Sequence, residues 1–181
     1  GWVIVADALP RDIVEGAVQA VTGLVDELAG RLHAKGKIND LCEGSSFEQR
    51  LIRIEEQFPH AGVLLHKNGK LPVGIQQVWA HPNMLAVAQQ ILGADVEIMG
   101  HPVWNLRCKT PDTLSHGQAT VPWHQDNAYL DEECWDQLQV TAWVPLVDTS
   151  LHNGCMQVVR GGHLSGLTAN HACCVGGTWY T

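Results

Sequence analysis

The sequence predicts an α+β protein, with helices in its first half packed on an antiparallel sheet system built by its second half. Two observations carry this. Up to about residue 94 the apolar side chains recur at helical spacing. From about Val96 the period changes to alternation, and short extended runs are separated by turn residues.

The elements follow in order. Trp2–Val5 is a short apolar run that reads as a strand. From about Asp12 to Leu32, Ile13, Val14, Ala17, Val18, Val21, Leu24, Val25, Leu28 and Leu32 repeat on one helical stripe, with acids early in the run. Residues 34–46 are polar and contain glycine, which makes a loop. Ser45 followed by Glu48 is a capping-box pattern; it opens a helix in which Phe47, Leu51, Ile54 and Phe58 share a face, and Pro59 ends it. Pro82 stands at a first-turn position, Met84, Leu85, Ala88, Ile91 and Leu92 follow on one stripe, and Gly93 stops the helix.

In the second half Trp104, Leu106 and Cys108 alternate with Asn105 and Arg107. Residues 110–120 are a loop and Val121–Asp126 a short strand; residues 127–135 form an acidic loop. In Gln137–Val147 the side chains of Leu138, Val140, Ala142, Val144 and Leu146 oppose Gln137, Gln139, Thr141 and Trp143. Asn153–Gly154 is a hairpin signal, and Cys155–Val159 is the expected returning strand.

With 181 residues, 45% apolar and 17% charged, the chain has the composition of one folded domain, divided into a helical part (1–94) and a sheet part (95–181). The net charge of −8 and the scattered eleven Lys and Arg exclude a nucleic-acid backbone as a natural partner. No apolar stretch is long enough for a membrane span, and no signal peptide is visible. Six cysteines without a CxxC motif imply reduced thiols, hence the cytoplasm or another reducing intracellular compartment. Nothing speaks to the oligomeric state. The chain opens on Gly1 and closes on Trp179–Tyr180–Thr181, a strand-like run, so it reads as part of a longer polypeptide.

The chemistry centres on His124–Gln125–Asp126. In an extended segment residues two apart project to the same side, so this imidazole and carboxylate can converge on one ion. Nitrogen and oxygen donors of this kind suit iron(II), with two histidines and one carboxylate leaving open positions for other ligands.

Three ordered blocks carry a resemblance: Val121–Pro–Trp–His–Gln–Asp126, Thr141–Ala–Trp–Val–Pro–Leu146, and Asn153–Gly–Cys–Met–Gln–Val–Val159 with Gly161–Gly–His163. Over roughly residues 95–165 they resemble the phytanoyl-CoA dioxygenase family of iron(II)/2-oxoglutarate oxygenases. The resemblance implies a double-stranded β-helix (a jelly roll, cupin-like) with the N-terminal helices packed on it and its C-terminal strands missing from this chain. It implies hydroxylation of a small organic or acyl substrate with Fe(II), 2-oxoglutarate and O₂, releasing succinate and CO₂. His124 and Asp126 match the first two iron ligands; Asn105, Gln125 and Trp143 match positions that contact or flank 2-oxoglutarate. Lys109 is expected near the same cavity. No catalytic side chain beyond the metal site is implied. The second iron-binding histidine and an arginine for the far carboxylate of 2-oxoglutarate are expected beyond Thr181, because His163 and His171 precede the segment where they belong.

Simpler readings stand beside these. A catalytically inactive jelly-roll binding module would keep the fold without the chemistry. A small structural metal protein would instead use His171 with Cys173 and Cys174. Trp123 and Trp135 read as core or rim packing, and Asp131–Glu132–Glu133 as a solvated loop or a lid.

Overall fold

The computed structural model of the chain describes residues 1–66, 71–100, 106–115, 120–135, 137–166 and 168–172. Its first half is helical: α1 (Arg11–Ala34), α2 (Phe47–Gln57), α3 (Ala61–His66), α4 (Val73–Trp79) and α5 (Pro82–Leu92). Beyond α5 come a single turn, α6 (Asp112–Ser115), and three 3₁₀ turns at Asp126–Tyr129, Glu132–Cys134 and Gly162–Ser165.

Helix α1 forms where the periodicity places it and buries Ala17, Val21, Val25, Leu28, Ala29 and Leu32. Against this face pack Ile54 of α2, Ala61 and Leu65 of α3, and Ile38 and Cys42 of the connecting loop. Leu28 and Ile54 are the largest fully buried side chains. Each such burial contributes about 1.5–3 kcal/mol. Arg50 is also buried, but its charge is met: the guanidinium pairs with Asp26 of α1, and Nε donates to the Leu41 carbonyl at 3.3 Å. A buried cation so compensated ties α2 to α1 without an open desolvation cost.

Helix α4 crosses α1 at a pair of glycines. A Cβ at Gly74 would collide with the Gly16 carbonyl and stand 2.9 Å from the Ala20 Cβ. The absent side chains let the two backbones approach.

The start and stop signals of α5 are realised. His81 Nδ1 accepts from the Asn83 N–H at 3.2 Å, Pro82 occupies the first turn, and Gly93 (φ 117°) ends the helix. The predicted apolar stripe of α5 is not covered, however; none of its residues is buried, and Leu85 and Ile91 remain largely exposed. The capping box at Ser45 and Glu48 does not form. Helix α2 starts one residue later, with Ser46 at its N-cap and no side-chain cap bond.

The sheet half departs from expectation. The double-stranded β-helix expected over residues 95–181, and the strand expected at Trp2–Val5, are absent: no β-strand occurs among the described residues. The same finding removes the fold premise of the jelly-roll binding module. The reason is the lack of pairing. Alternation says which side chains share a face, but a strand exists only when a second extended segment lies about 4.8 Å away and completes the backbone ladder. Among the described residues between 120 and 166 the backbone–backbone hydrogen bonds are local, such as Ala128 N–H to Gln125 O, Leu130 N–H to Asn127 O and Leu164 N–H to Gly161 O. Trp2, Val3, Ile4, Leu138, Val158 and Val159 stay exposed. The Asn153–Gly154 turn does form, without flanking strands. Asn153 Oδ1 accepts the Ser150 N–H at 2.6 Å, Cys155 N–H donates to Ser150 O, and Gly154 takes φ 84°.

Leu106 and Cys108 join the second half to the helical core, where both pack against the buried cluster. This agrees with their predicted common face. Every buried apolar side chain among the described residues lies between Ala17 and Val78.

Candidate metal centre

His124 and Asp126 come together at the surface of the second half. Their side chains are 24% and 46% exposed, so solutes reach both. Gln125 between them is extended (φ −112°, ψ 142°), and Asp126 opens the 3₁₀ turn Asp126–Tyr129. That turn is braced by Trp135, whose indole N–H donates to the carbonyls of Asn127 at 3.0 Å and Leu130 at 3.2 Å. Trp135 therefore works at the rim of the turn, and Trp123 is exposed rather than in a core.

Each of the two side chains has its outer atom tied and its inner atom pointing at the other. His124 Nδ1 lies 2.7 Å from the Pro122 carbonyl. A carbonyl only accepts, so Nδ1 carries a ring proton and Nε2 is the nitrogen that faces Asp126. Asp126 Oδ2 accepts the Thr141 hydroxyl at 2.7 Å. His124 Nε2 and Asp126 Oδ1 are 3.4 Å apart.

Two ligands about 2.1 Å from one ion, at right angles to each other, stand about 3 Å apart. At 3.4 Å the two atoms are near enough to share one metal ion, or to form an ion pair when the imidazole is protonated. The donor set also fits iron(II): one neutral imidazole, one carboxylate, and an outer hydrogen bond on each, the usual support for metal ligands. Among the described residues no group of three His, Cys, Asp or Glu side chains is placed to hold an ion.

The other predicted residues are placed as follows. Asn105 lies outside the described residues, as do Cys173 and Cys174 of the structural-metal reading. Trp143 is 39% exposed, two positions along the chain from Thr141. Lys109 runs along the Asn153–Gly154 turn, where its stem lies 3.6 Å from the position of a Cβ at Gly154. Its amine is pushed below the ordinary value first by desolvation and then by the charge of Arg107, against a smaller opposing pull from Asp112. His163 packs on Gly1, with Nε2 3.3 Å from a Cβ there, and is not beside the pair.

Two contacts were not foreseen. The alternation puts Thr141 on a polar face but carries no sign of its bond to Asp126; its position beside Trp143 in one block is the available signal. His171 comes to the motif as a hydrogen-bond partner of Gln125. Two surface hollows of about 370 and 350 Å³ lie in the helical half, around Asp40–Ser46 and between α1 and α4, and neither includes His124 or Asp126.

His124 and Asp126 thus form a surface His-x-carboxylate pair, each member held from outside by a hydrogen bond. The family model described as Phytanoyl-CoA dioxygenase (PhyH) matches residues 7–173, and the chain belongs to that family. The 1-deoxypentalenic acid 11-beta-hydroxylase of Streptomyces arenae is similar to it, with 24% identity over 167 residues that cover 92% of this chain and 52% of that protein. The chain thus spans about half the length of this curated relative. No solved structure matches the chain. No helix among the described residues is long and apolar enough to cross a membrane.

Proposed function

We propose that this chain carries the metal-binding part of an Fe(II)- and 2-oxoglutarate-dependent oxygenase that hydroxylates a small organic or acyl substrate and releases succinate and CO₂. The observation that carries the reading is the 3.4 Å approach of His124 Nε2 to Asp126 Oδ1, with the other atom of each side chain already engaged. Family membership supports the oxygenase class. The relative's name joins an organic acid to a hydroxylation, which supports the substrate class.

When bound, iron(II) with 2-oxoglutarate and O₂ would supply the oxidising power for C–H hydroxylation. The protein's own part is positional. The Pro122 carbonyl holds a proton on His124 Nδ1, so Nε2 is the nitrogen that would take the metal. Asp126 offers Oδ1 because Thr141 occupies Oδ2. Gln125 and Trp143 are assigned to the cosubstrate side of the centre, and Asn105 to the same role.

Anaerobic titration of the protein with iron(II) and 2-oxoglutarate tests the reading. A weak visible charge-transfer band should appear, together with succinate formation under O₂ even without the prime substrate. His124→Ala should abolish both. Persistence of band and succinate in that variant would refute the ligand assignment.

A further inference from the structure

Among the described residues no buried apolar side chain lies beyond Val78, so the directions of the two ligands depend on hydrogen bonds. The extended backbone of Gln125 lies between them, and Gln125 is gripped twice by one short segment. Its backbone N–H donates to His171 Nε2 at 2.8 Å. Its side-chain Oε1 accepts the Ala169 N–H at 2.6 Å. The bonds run in opposite directions between residue 125 and a partner segment more than forty positions along the chain. One bond fixes the backbone of residue 125 and the other fixes its side chain.

We infer that His171 is a positioning residue of the metal centre: with Ala169 it clamps Gln125 and so sets the angle at which His124 and Asp126 project. This rests on the reading of those two residues as metal ligands. The clamp assigns His171 a definite tautomer. Nε2 accepts a backbone N–H, so the ring proton sits on Nδ1. The same bond occupies the nitrogen that a ligand role would need, and His171 joins no metal-binding group among the described residues. By linkage, a clamp that favours the metal-binding geometry is itself tightened when metal binds.

The test uses the full chain and cobalt(II) as the probe, titrated anaerobically and followed by calorimetry and visible absorption. Amide hydrogen exchange at residues 125 and 169 is measured in the metal-free protein. His171→Leu should weaken cobalt binding about ten- to a hundredfold, the usual effect of losing an outer support. It should leave the spectrum at saturation unchanged and release the residue 125 amide to exchange. His171→Gln places an acceptor oxygen close to the Nε2 position and should restore most of the affinity and protection. A purely structural role would not show this rescue together with an unchanged spectrum. The inference is overturned if His171→Leu binds cobalt as the native chain does, if His171→Gln is as weak as His171→Leu, or if the saturated spectrum changes, which would make His171 a ligand. It is overturned without any variant if the residue 125 amide of the native chain exchanges at the unprotected rate. His124→Ala separates the two ideas. Undiminished cobalt binding in that variant sinks the metal reading itself, whereas loss there with retention in His171→Leu sinks the clamp alone.

Discussion

The helical half and the half that carries the site are held together by different physics. Between Val25 and Leu65 the chain buries a continuous apolar cluster drawn from α1, α2, α3 and their connecting loop. Beyond residue 120 the large apolar side chains are mostly exposed, and order comes from turns and from hydrogen bonds by side chains such as Trp135, Thr141, Asn153 and His171. Burial resists almost any loss of volume but is indifferent to direction. Hydrogen bonds contribute little to stability each but fix angles, and angles are what a metal centre requires.

The comparison can be broken most sharply in the core. Leu28→Ala should cost about 2–5 kcal/mol, because it removes transfer energy and leaves a cavity. Leu138→Ala, at an exposed position of the other half, should stay within about 0.5 kcal/mol. Urea unfolding of the two variants checks the contrast, and equal losses would dissolve the distinction between the halves.

The next effect is steric. Gly74→Ala puts a methyl group into the Gly16 backbone at the α1–α4 crossing and should cost about 1–3 kcal/mol by overpacking. A thermal melt that does not move would show that the two helices separate at little cost.

Function should respond in the other half where stability does not. Thr141→Val removes the hydroxyl on Asp126 Oδ2 and should weaken iron(II) binding about ten- to a hundredfold. Because Thr141 is exposed, the melting temperature of the metal-free chain should barely change. Iron titration beside a melting curve reads both quantities.

The last effect appears only in alkali. Burial, and secondarily the charge of Glu55, push the Cys108 thiol from an ordinary 9.0 up to about 12. Above pH 9 the unfolded chain releases this proton while the folded chain keeps it, so the folded state binds more protons. Stability should therefore fall as pH rises from 9 towards 12. Cys108→Ala should flatten that part of the profile, measured as melting temperature against pH. The same seam holds an orphan: among the described residues Glu55 Oε2, buried in α2, has no hydrogen-bond partner.

These contrasts show how far a linear reading reaches. Helix α1 was legible because its stripe repeats for six turns, and α5 because Pro82 and Gly93 mark its ends. Helix α4 was not, because it packs through Gly74 and Val78 and leaves Val73 and Trp79 outside. A contact made by missing side chains has no hydrophobic signature. The sheet was read from true alternation, but alternation carries no information about a pairing partner, and the described segments have none. At the site the spacing of His124 and Asp126 foretold their approach. The bonds from Thr141 and His171 span 15 and 46 positions, beyond what any local period encodes.

The amino-acid order alone determined the helical stripe, the helix ends at Pro82 and Gly93, the turn at Asn153–Gly154 and the imidazole and carboxylate two residues apart. All of these depend on neighbours within a few positions, where backbone geometry turns spacing into direction. Only the tertiary structure decided that the described alternating segments remain unpaired, that two glycines bring α1 and α4 together, and that Thr141 and His171 meet the motif. Those outcomes depend on which distant surfaces meet, and that is settled by competition across the whole chain rather than by any one stretch of it.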